Sequence, residues 1–420
     1  MMTGSQKPAA DGDRLITGHA DGEQVIDALK EALVQTGWAP PWSRDAPADG
    51  DTRPALGRCW PPVKMPAEAT LAPPMWWRGK AACRTQFPRT TLCPTPLSAI
   101  RTPGRLGGMT TMRAIRQDVL GGPEVLREVE VDRPEPGFSQ ILVRVHAAGL
   151  NPTDWKHRAY PIFLGPPPFT LGWDVSGVVE ATGFGVTLYK PGDEVFGMLP
   201  YPHGVGSHAE YVAAPARALT FKPASVDHVQ AGALPLAALT AWQALNDTAH
   251  LQNGQRILIH AAAGGVGHLA VQIAKAKGAY VIGTASAANH DLVRGLGADE
   301  LVDYHSTDFA DAVSDVDVVL ETVGGDYPAR SLRTLRAGGM LVSLLPFAQQ
   351  VAADASAKGV RAQVMLVEAD HGGMTAIADL VTAGKLRPVI AATFPMAEAA
   401  KAHERGDTGH VAGKLVLTMT

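Results

Sequence analysis

Small residues stand where a predicted strand gives way to a predicted helix. Arg256–His260 is an apolar run typical of a strand, and the apolar-faced segment His268–Lys277 follows it closely. The first turn of a helix has backbone N–H groups without partners and the positive end of the helix dipole, and both attract phosphate. Read as G-x-G-x-x-G, the turn between them has Ala262 in the first place, then Gly264 and Gly267. The pattern therefore predicts a dinucleotide site.

Each glycine of this turn has a separate physical use. Gly264 lets the backbone approach a phosphate group without a Cβ, and Gly267 lets the helix pack closely on the strand. The predicted contacts to the cofactor in this turn are Ala262, Gly264, Gly265, Val266 and Gly267. The alternative is a glycine-rich turn that holds nothing, which explains the spacing less well.

The end of the second strand indicates which dinucleotide is bound. An NAD site usually has Asp or Glu there, to accept a hydrogen bond from the ribose 2′-hydroxyl. In Ile282–His290 there is no acid before Asp291, so nothing repels a 2′-phosphate. Ser286 could donate to that phosphate and His290 could add charge, or His290 could simply be a solvated residue at a helix start. Tyr304, after the third strand, could reach the same phosphate or pack beside adenine. We therefore expect NADP(H).

Composition and charge exclude several classes of partner. The chain has 420 residues, 46% of them hydrophobic and 19% charged, as expected for a globular protein of two or three units. A net charge of -4 gives no basic field for nucleic acid or an anionic membrane surface. No run of apolar residues is long enough to span a bilayer, and the N-terminus lacks the apolar core of a signal peptide. The cytoplasm is the expected compartment.

The first quarter of the chain differs from the rest. It is rich in proline and, after Gly37, shows no sustained periodicity; one short amphipathic helix is predicted at Gly22–Gln35. We expect residues 1–110 to be a poorly ordered extension, with a small independent domain as the alternative. Because Met109 and Met112 immediately precede regular structure, the segment could also lie upstream of the true start.

Two units of regular structure follow. Short strands punctuated by glycine and proline indicate a barrel-like β unit over residues 111–235, with the predicted strands Leu126–Val131, Gln140–Val145, Trp173–Thr182, a strand fed by the turn at Pro191–Gly197, and Ala209–Ala213. Strands then alternate with helices over residues 236–371, at 256–260, 279–284, 300–304, 316–320, 339–345 and 362–367, which predicts an α/β, doubly wound parallel sheet. Residues 372–420, with a helix at Met374–Ala383 and a strand at Lys414–Met419, are expected to return to the β unit.

Taken together, these segments resemble the medium-chain dehydrogenase/reductase superfamily, and most closely its quinone oxidoreductase-like branch. The resemblance covers residues 112–420 and rests on six segments in the family's order: Gly149–Asp154, Gly172–Gly177, Pro191–Phe196, Leu239–Trp242, Ala261–Lys275 and Val323–Gly325. It implies a GroES-like β-barrel catalytic domain interrupted by a Rossmann domain, with the active site in the cleft between them. It also implies a homodimer, usually formed through the edge of the Rossmann sheet.

The zinc ligands of this superfamily are missing. Its zinc alcohol dehydrogenases place a cysteine two residues before the Thr-Asp pair and a histidine in a Gly-His-Glu motif. Here the same places hold Asn151 and Trp173, and no cysteine follows Cys93. The Asn amide is a weak neutral ligand and the indole has no lone pair to give, so we expect no metal. Without a Lewis acid, reduction of a conjugated acceptor is easier than oxidation of an alcohol, because the charge spreads to a distant carbonyl oxygen.

The resemblance assigns further residues to the site. Asn151 would orient the cofactor or substrate, or only form an Asn-Pro turn; Asp154 would join the hydrogen bonds on the cofactor side, or only cap a helix. Tyr160 is a conditional proton donor, although loop tyrosines are commonly at the surface. Trp173 would be a flat wall of the acceptor pocket, or simply core. Thr240 matches the family position beside nicotinamide.

The remaining cofactor contacts lie at two places. Val323, Gly324 and Gly325 follow the fourth strand of the parallel sheet, at the edge where ligands bind, so close backbone approach to the nicotinamide ribose is expected. Lys414 could meet a cofactor phosphate or be an ordinary exposed lysine.

The residues and the resemblance together favour an NADPH-dependent, zinc-free oxidoreductase that acts on quinones or on the C=C of α,β-unsaturated carbonyls. Two alternatives stay open, an enoyl-thioester reductase and a protein that binds NADPH as a sensor without turnover.

Overall fold

A computed structural model describes residues 110–419 of the chain. The predicted helix at Gly22–Gln35 and the expected poorly ordered extension lie outside the described residues, apart from Thr110. Within the described part, an antiparallel β unit comes first, a parallel α/β unit follows, and the last strands join the first unit again.

The antiparallel unit is built from eight strands and the end of the chain. The strands are β1 (Thr111–Gln117), β2 (Arg127–Asp132), β3 (Gln140–Leu150), β4 (Phe169–Thr170), β5 (Asp174–Thr182), β6 (Glu194–Met198), β7 (Tyr211–Pro215) and β8 (Leu219–Phe221). β2, β1 and β4 form one sheet, and β3, β5, β6 and β8 lie side by side in a second, with β7 also paired to β3. This is the GroES-like β unit that the sequence predicts.

The parallel unit contains the six strands that the alternating pattern predicts. They are β9 (Arg256–Ile259), β10 (Tyr280–Ala285), β11 (Glu300–Asp303), β12 (Val316–Glu321), β13 (Leu335–Ser343) and β14 (Arg361–Val364). Their order across the sheet is β11-β10-β9-β12-β13-β14, and every neighbouring pair is parallel. All six residues of β12 are buried, because helices cover both faces of such a sheet. The prediction of a doubly wound sheet is confirmed.

Ten α-helices connect and flank these strands in the described residues. They are α1 (Pro152–Ala159), α2 (His228–Gly232), α3 (Pro235–Trp242), α4 (Gly267–Ala276), α5 (His290–Gly295), α6 (Phe309–Ala312), α7 (Tyr327–Ser331), α8 (Gln349–Lys358), α9 (His371–Thr382) and α10 (Ala399–Asp407). A π-helical segment, Gln243–Thr248, continues α3. Several begin at residues that the sequence marks as caps; Asp370, for example, accepts hydrogen bonds from the N–H groups of Gly372 and Gly373.

The end of the chain returns to the antiparallel unit. Strands β15 (Ile390–Pro395) and β16 (Lys414–Thr418) pair in parallel, and β16 pairs antiparallel with β3 through Leu415 and Leu150. The sequence analysis missed β15 and α10, because β15 has no fully buried residue and its pattern is weak. We propose residues 111–235 with 372–420 and residues 236–371 as the two domains, because the first set contains the antiparallel strands with β15 and β16 and the second contains the parallel sheet.

Five histidines are buried in the interior of the described residues: His157, His208, His260, His268 and His403. Burial lowers the pKa of His208 and of His260 to about 3, because a charged imidazole would lose its hydration. The ring of His260 lies within hydrogen-bond distance of Thr284 and Ser331. Neither ring nitrogen of His208 has a partner among the described residues. All five histidines are therefore neutral in the folded protein.

We expect the buried histidines to make stability fall as the pH drops below their unfolded pKa of about 6.5. Below that pH these histidines bind protons in the unfolded chain but not in the folded chain. Each of them therefore lowers the free energy of unfolding by about 2 kcal/mol between pH 6.5 and pH 5. The slope of the unfolding free energy against pH gives the number of protons taken up on unfolding. In urea unfolding at pH 5 to 7, this number should be lower by about one in His208→Phe. His410→Gln, at an exposed histidine, is the control. An unchanged pH dependence in His208→Phe would contradict the assignment.

Candidate active site

A cavity of about 410 Å³ lies between the antiparallel unit and the parallel sheet. The first turns of α1 and the residue before it form one part of its wall, and the glycine turn before α4 forms another. The segments after β13 and β14 and the start of β16 complete the lining. Of the predicted site residues, Asn151, Thr240, Gly264, Gly265, Val266, Gly267 and Lys414 are brought together here.

The glycine turn offers free donors to this cavity. Within residues 110–419, the backbone N–H groups of Gly265 and Val266 donate to no other residue, and both residues line the cavity. A Cβ on Gly267 would stand 2.2 Å from the carbonyl oxygen of Ala261, so only glycine allows the helix to lie this close to the strand. Ala262 is buried, and its N–H donates to the carbonyl of Thr284 at 2.8 Å. The turn is thus anchored from behind and open in front, which fits a pyrophosphate.

Three predicted residues lie at the ends of β10 and β11 and do not line the cavity. Ser286 follows β10, and its Oγ accepts a hydrogen bond from the side-chain amide of Asn289 at 3.1 Å. The Nε2 of His290 lies 3.2 Å from the carbonyl oxygen of Ala285. Tyr304, after β11, has its ring 4.3 Å from that of His305. The three side chains are partly exposed, and no carboxylate stands between Ala285 and Asp291.

A buried carboxylate organises the loop after β12. Glu321 Oε1 accepts the N–H groups of Val323 and Gly324 at 2.5 and 2.7 Å, and Oε2 accepts the hydroxyl of Ser343 at 2.8 Å. Burial raises the pKa of Glu321, and these hydrogen bonds oppose the rise. Gly324 and Gly325 have φ of +84° and +62°, in the left-handed region that favours glycine. Val323, Gly324 and Gly325 do not themselves line the cavity, whereas their neighbour Thr322 does.

Lys414 forms a network with Asn151 and Asp174. Its Nζ donates to the carbonyl of Leu150 at 2.8 Å and to Oδ1 of Asn151, and it lies 3.7 Å from Oδ2 of Asp174. The amide of Asn151 donates to the same Asp174 oxygen at 2.9 Å, and Asp174 Oδ1 accepts the N–H of Leu236 at 2.7 Å. Lys414 is buried, so it is not the ordinary exposed lysine of the sequence alternative, and its ammonium group faces these interior oxygens. Its contact with a cofactor phosphate stays a prediction. Only the aliphatic part of its side chain lies beside Gly265.

Asp154 supports Asn151 from outside the cavity. Its Oδ2 accepts the backbone N–H of Asn151 at 2.7 Å across the start of α1, so the capping alternative describes it. Burial raises the pKa of Asp154 to about 8. Its other oxygen is buried and has no hydrogen-bond partner among the described residues.

Two predicted catalytic residues lie away from the cavity wall. Trp173 is fully buried, with its ring centroid 5.2 Å from that of His157 and 5.3 Å from that of Tyr201. It packs behind the wall, so the prediction that it forms the wall itself is corrected. Tyr160 ends α1, where its backbone N–H donates to Lys156, and it does not line the cavity either. Its neighbours His157, Ile162 and Phe163 do line the cavity, so nearness in sequence to the site does not by itself place Tyr160 on the wall.

Several polar residues of the cavity were not predicted, among them Thr153, Lys156, His157 and Tyr201. The Oγ1 of Thr153 lies 3.1 Å from Nδ1 of His157 and 3.2 Å from the hydroxyl oxygen of Tyr201. The spacing of Thr153 and His157 by one helical turn is a signal that could have found that pair. Tyr201 lies in a loop 48 positions further on, where no pattern announces it.

The rest of the lining is mainly apolar. Aromatic, aliphatic and proline side chains come from both units: Trp155, Ile162, Phe163, Leu344, Leu345, Pro346, Met365, Leu366, Val367 and Val411. Such a surface suits a flat, weakly polar organic molecule rather than a charged metabolite. In the described residues, no three His, Cys, Asp or Glu side chains are grouped so that they could hold a metal ion. No helix in the same part of the chain has the length and apolar character needed to cross a membrane.

Two family profiles match the chain. One, described as the alcohol dehydrogenase GroES-like domain, matches residues 137–224. The other, described as zinc-binding dehydrogenase, matches residues 296–417.

Known proteins match over most of this length. The mouse mitochondrial NAD(P)H oxidoreductase RTN4IP1 is 33% identical, covering 81% of this chain and 97% of the mouse protein. The structure of the quinone oxidoreductase from Coxiella burnetii is 40% identical with a TM-score of 0.70, over 74% of this chain and 100% of that one. Escherichia coli quinone oxidoreductase, solved with NADPH, is 28% identical with a TM-score of 0.67, over the same shares of the two chains.

The Lys414 network leads to a prediction about stability. Lys414→Met removes the cation and leaves the buried carboxylate of Asp174 without its counter-charge. We expect the free energy of unfolding in urea to fall by about 3–5 kcal/mol. Lys401→Met, at an exposed lysine paired with Glu398 on the surface, is the matched control and should change little. A loss for Lys414→Met as small as that of the control would contradict the network.

Proposed function

Because this chain belongs to the quinone oxidoreductase-like branch of the medium-chain dehydrogenase/reductase superfamily, we propose that it reduces a quinone or the C=C of an α,β-unsaturated carbonyl compound with NADPH. The chain is an NAD(P)H oxidoreductase of the quinone reductase family. The observation that carries the proposal is that one cavity joins unpaired backbone donors at a helix start to an apolar wall.

The residues present fit a bound dinucleotide. The N–H groups of Gly265 and Val266, at the positive end of α4, would hold the pyrophosphate. The loop formed by Thr322, Gly324 and Gly325 would lie by the nicotinamide ribose. When bound, NADPH supplies a hydride, which is two electrons and one hydrogen, to the acceptor.

Two residues are proposed to orient the reacting groups. Asn151 lines the cavity. Its side-chain oxygen accepts from Lys414, its side-chain NH2 donates to Asp174, and its backbone N–H donates to Asp154. A side chain held in this way keeps its geometry without reorganisation during the reaction. Thr240 lines the same cavity, although its hydroxyl donates to the carbonyl of Leu236 at 2.7 Å. It would therefore act through its position and its methyl group.

Preference for NADPH is proposed from the end of β10. Ser286, Asn289 and His290 lie there, and none of them carries a negative charge at neutral pH. The side-chain amide of Asn289 donates to Ser286, which leaves the Ser286 hydroxyl hydrogen free for a phosphate oxygen. Tyr304 would border the same phosphate or the adenine ring.

The compartment and the assembly also stay predictions. The cytoplasm was expected, whereas the mouse relative and a spinach relative are named as mitochondrial and chloroplastic proteins. A homodimer is proposed through β14, which stands at one edge of the parallel sheet.

An acceptor screen tests the activity. NADPH oxidation is followed at 340 nm with a naphthoquinone, an alkenal, an enone and a crotonyl thioester. We expect turnover with the first three classes. Activity confined to the thioester would identify an enoyl-thioester reductase, and tight NADPH binding with no oxidation on any acceptor would identify a sensor.

The same screen needs a variant that separates folding from cofactor binding. Gly265→Ala adds a methyl group whose nearest protein atoms are 3.6 Å away, so the protein should fold. The methyl group would occupy the space in front of the N–H donors, and we expect NADPH to bind at least tenfold more weakly. Gly295→Ala, where a Cβ meets nothing within 4 Å, is the matched control.

Cofactor preference gives a further prediction. We expect kcat/KM to be at least tenfold higher with NADPH than with NADH. Ser286→Asp places a carboxylate where the 2′-phosphate would lie, so it should reverse this preference by repelling the phosphate and accepting a ribose hydroxyl. Ser286→Asn is the neutral control. Equal kinetics with the two cofactors in the unaltered protein would refute the assignment.

A further inference from the structure

Two hydroxyl groups and one imidazole meet on the cavity wall. Thr153, His157 and Tyr201 all line the cavity, and their polar atoms lie 3.1 and 3.2 Å apart in the order His157, Thr153, Tyr201. None of the three takes part in the proposed cofactor site. They can donate hydrogen bonds from a mainly apolar wall. Such donors are what a negative charge that develops on an acceptor would need.

The direction of these hydrogen bonds follows from one backbone group. The N–H of Phe163 donates to Nε2 of His157 at 3.3 Å, so the ring proton of the neutral imidazole is on Nδ1. Nδ1 then donates to the carbonyl oxygen of Thr153 at 2.8 Å and faces its Oγ1. The Thr153 hydroxyl cannot donate to a protonated nitrogen, and the oxygen of Tyr201 lies 3.2 Å from it. When Thr153 donates to that oxygen, the Tyr201 hydrogen points into the cavity, and this is the arrangement that the proposal uses.

The surrounding rings hold Tyr201 in place. Its centroid lies 5.3 Å from that of Trp173 and 6.0 Å from that of Phe163, both in edge-to-face geometry. Trp173 also packs on His157, so one buried indole supports both polar residues from behind. Burial raises the pKa of Tyr201 to about 12 and lowers that of His157 to about 4. At neutral pH the tyrosine therefore keeps its proton, and the histidine is not charged.

We propose that the Tyr201 hydroxyl is the catalytic donor to the acceptor's oxygen atom, and that Thr153 is its positioning residue. The inference rests on the proposed function and assigns its proton donor. It takes the place of Tyr160, which the resemblance offered only as a conditional donor and which does not line the cavity.

The step balances as follows. Hydride addition forms a C–H bond on the acceptor and leaves a negative charge on its conjugated oxygen. That oxygen forms an O–H bond with the Tyr201 proton as the tyrosine O–H bond breaks. Tyr201 then recovers a proton from solvent water, so each turnover consumes one hydride and one proton.

Tyr201→Phe in the full chain tests the proposal. Removing one preorganised donor should lower kcat with the naphthoquinone or the enone by about 100-fold or more. The dissociation constants for NADPH and, without cofactor, for the naphthoquinone should stay within about twofold, since ground-state contacts to the ring remain. Quenching of Trp155, which lines the cavity, reports the quinone binding. Tyr211→Phe, at a tyrosine of β7 outside the cavity, is the matched control.

Thr153 gives a second test in which Tyr201 is untouched. Thr153→Val keeps the shape of the side chain but removes the hydroxyl, so kcat should fall by about tenfold, while Thr153→Ser should restore it. Recovery with serine ties the effect to the hydroxyl, because a purely structural role would follow the methyl group.

The outcomes separate the two proposals. Failure of the unaltered protein to oxidise NADPH with any acceptor overturns the proposed function, and this inference falls with it. Turnover by the unaltered protein with kcat unchanged in Tyr201→Phe overturns this inference alone. A loss of kcat in Tyr160→Phe with none in Tyr201→Phe would return the donor role to Tyr160.

Discussion

The structure depends on a charge buried where the two units join. Lys414 begins β16, Asn151 follows β3, and Asp174 begins β5, so the network ties together three strands of the antiparallel unit. Asp174 also accepts the N–H of Leu236 in the first turn of α3, the helix that leads into the parallel unit. An isolated charge in such a place would be expelled or neutralised. Paired and hydrogen-bonded, it instead fixes the geometry of the junction.

This constraint explains why the cavity has two different ends. The network uses the polar atoms of the strand ends, so that the lysine and the carboxylate are satisfied within the protein and offer no free charge to a ligand. The free donors of the cavity include the backbone N–H groups of Gly265 and Val266, the ammonium group of Lys156 and, as proposed, the hydroxyl of Tyr201. Between them the lining is apolar. A ligand with an anionic end and a flat carbonyl compound could share such a space, and each would find its donors already in place.

Much of the fold could be predicted because short stretches of sequence are enough to indicate its elements. Each strand of the parallel sheet is a short apolar run between turn residues, and the glycine turn is recognisable because Gly267 has no room for a Cβ. Strand β15 was missed for the opposite reason, since half-buried and exposed residues alternate along it but its side chains, IAATFP, do not alternate between apolar and polar. Lys414 shows another limit. Its place in the sequence indicated the cofactor site, but whether its ammonium group faces outward or inward is decided by oxygen atoms at Leu150 and Asn151, which only the pairing of β16 with β3 brings near.

The tyrosines show the same limit within the site. Tyr160 is close in sequence to Asn151, yet it does not line the cavity, although Ile162 and Phe163 just after it do. Tyr201 is far away in sequence and reaches the wall from a loop. The backbone N–H of Phe163 donates to His157 and so places the ring proton on Nδ1. The proposed direction of the Tyr201 hydroxyl follows from this through Thr153. A backbone group leaves no trace in residue types. Which group donates and which accepts along these hydrogen bonds is therefore decided by the folded loop. The sequence pattern could at most indicate which residues take part.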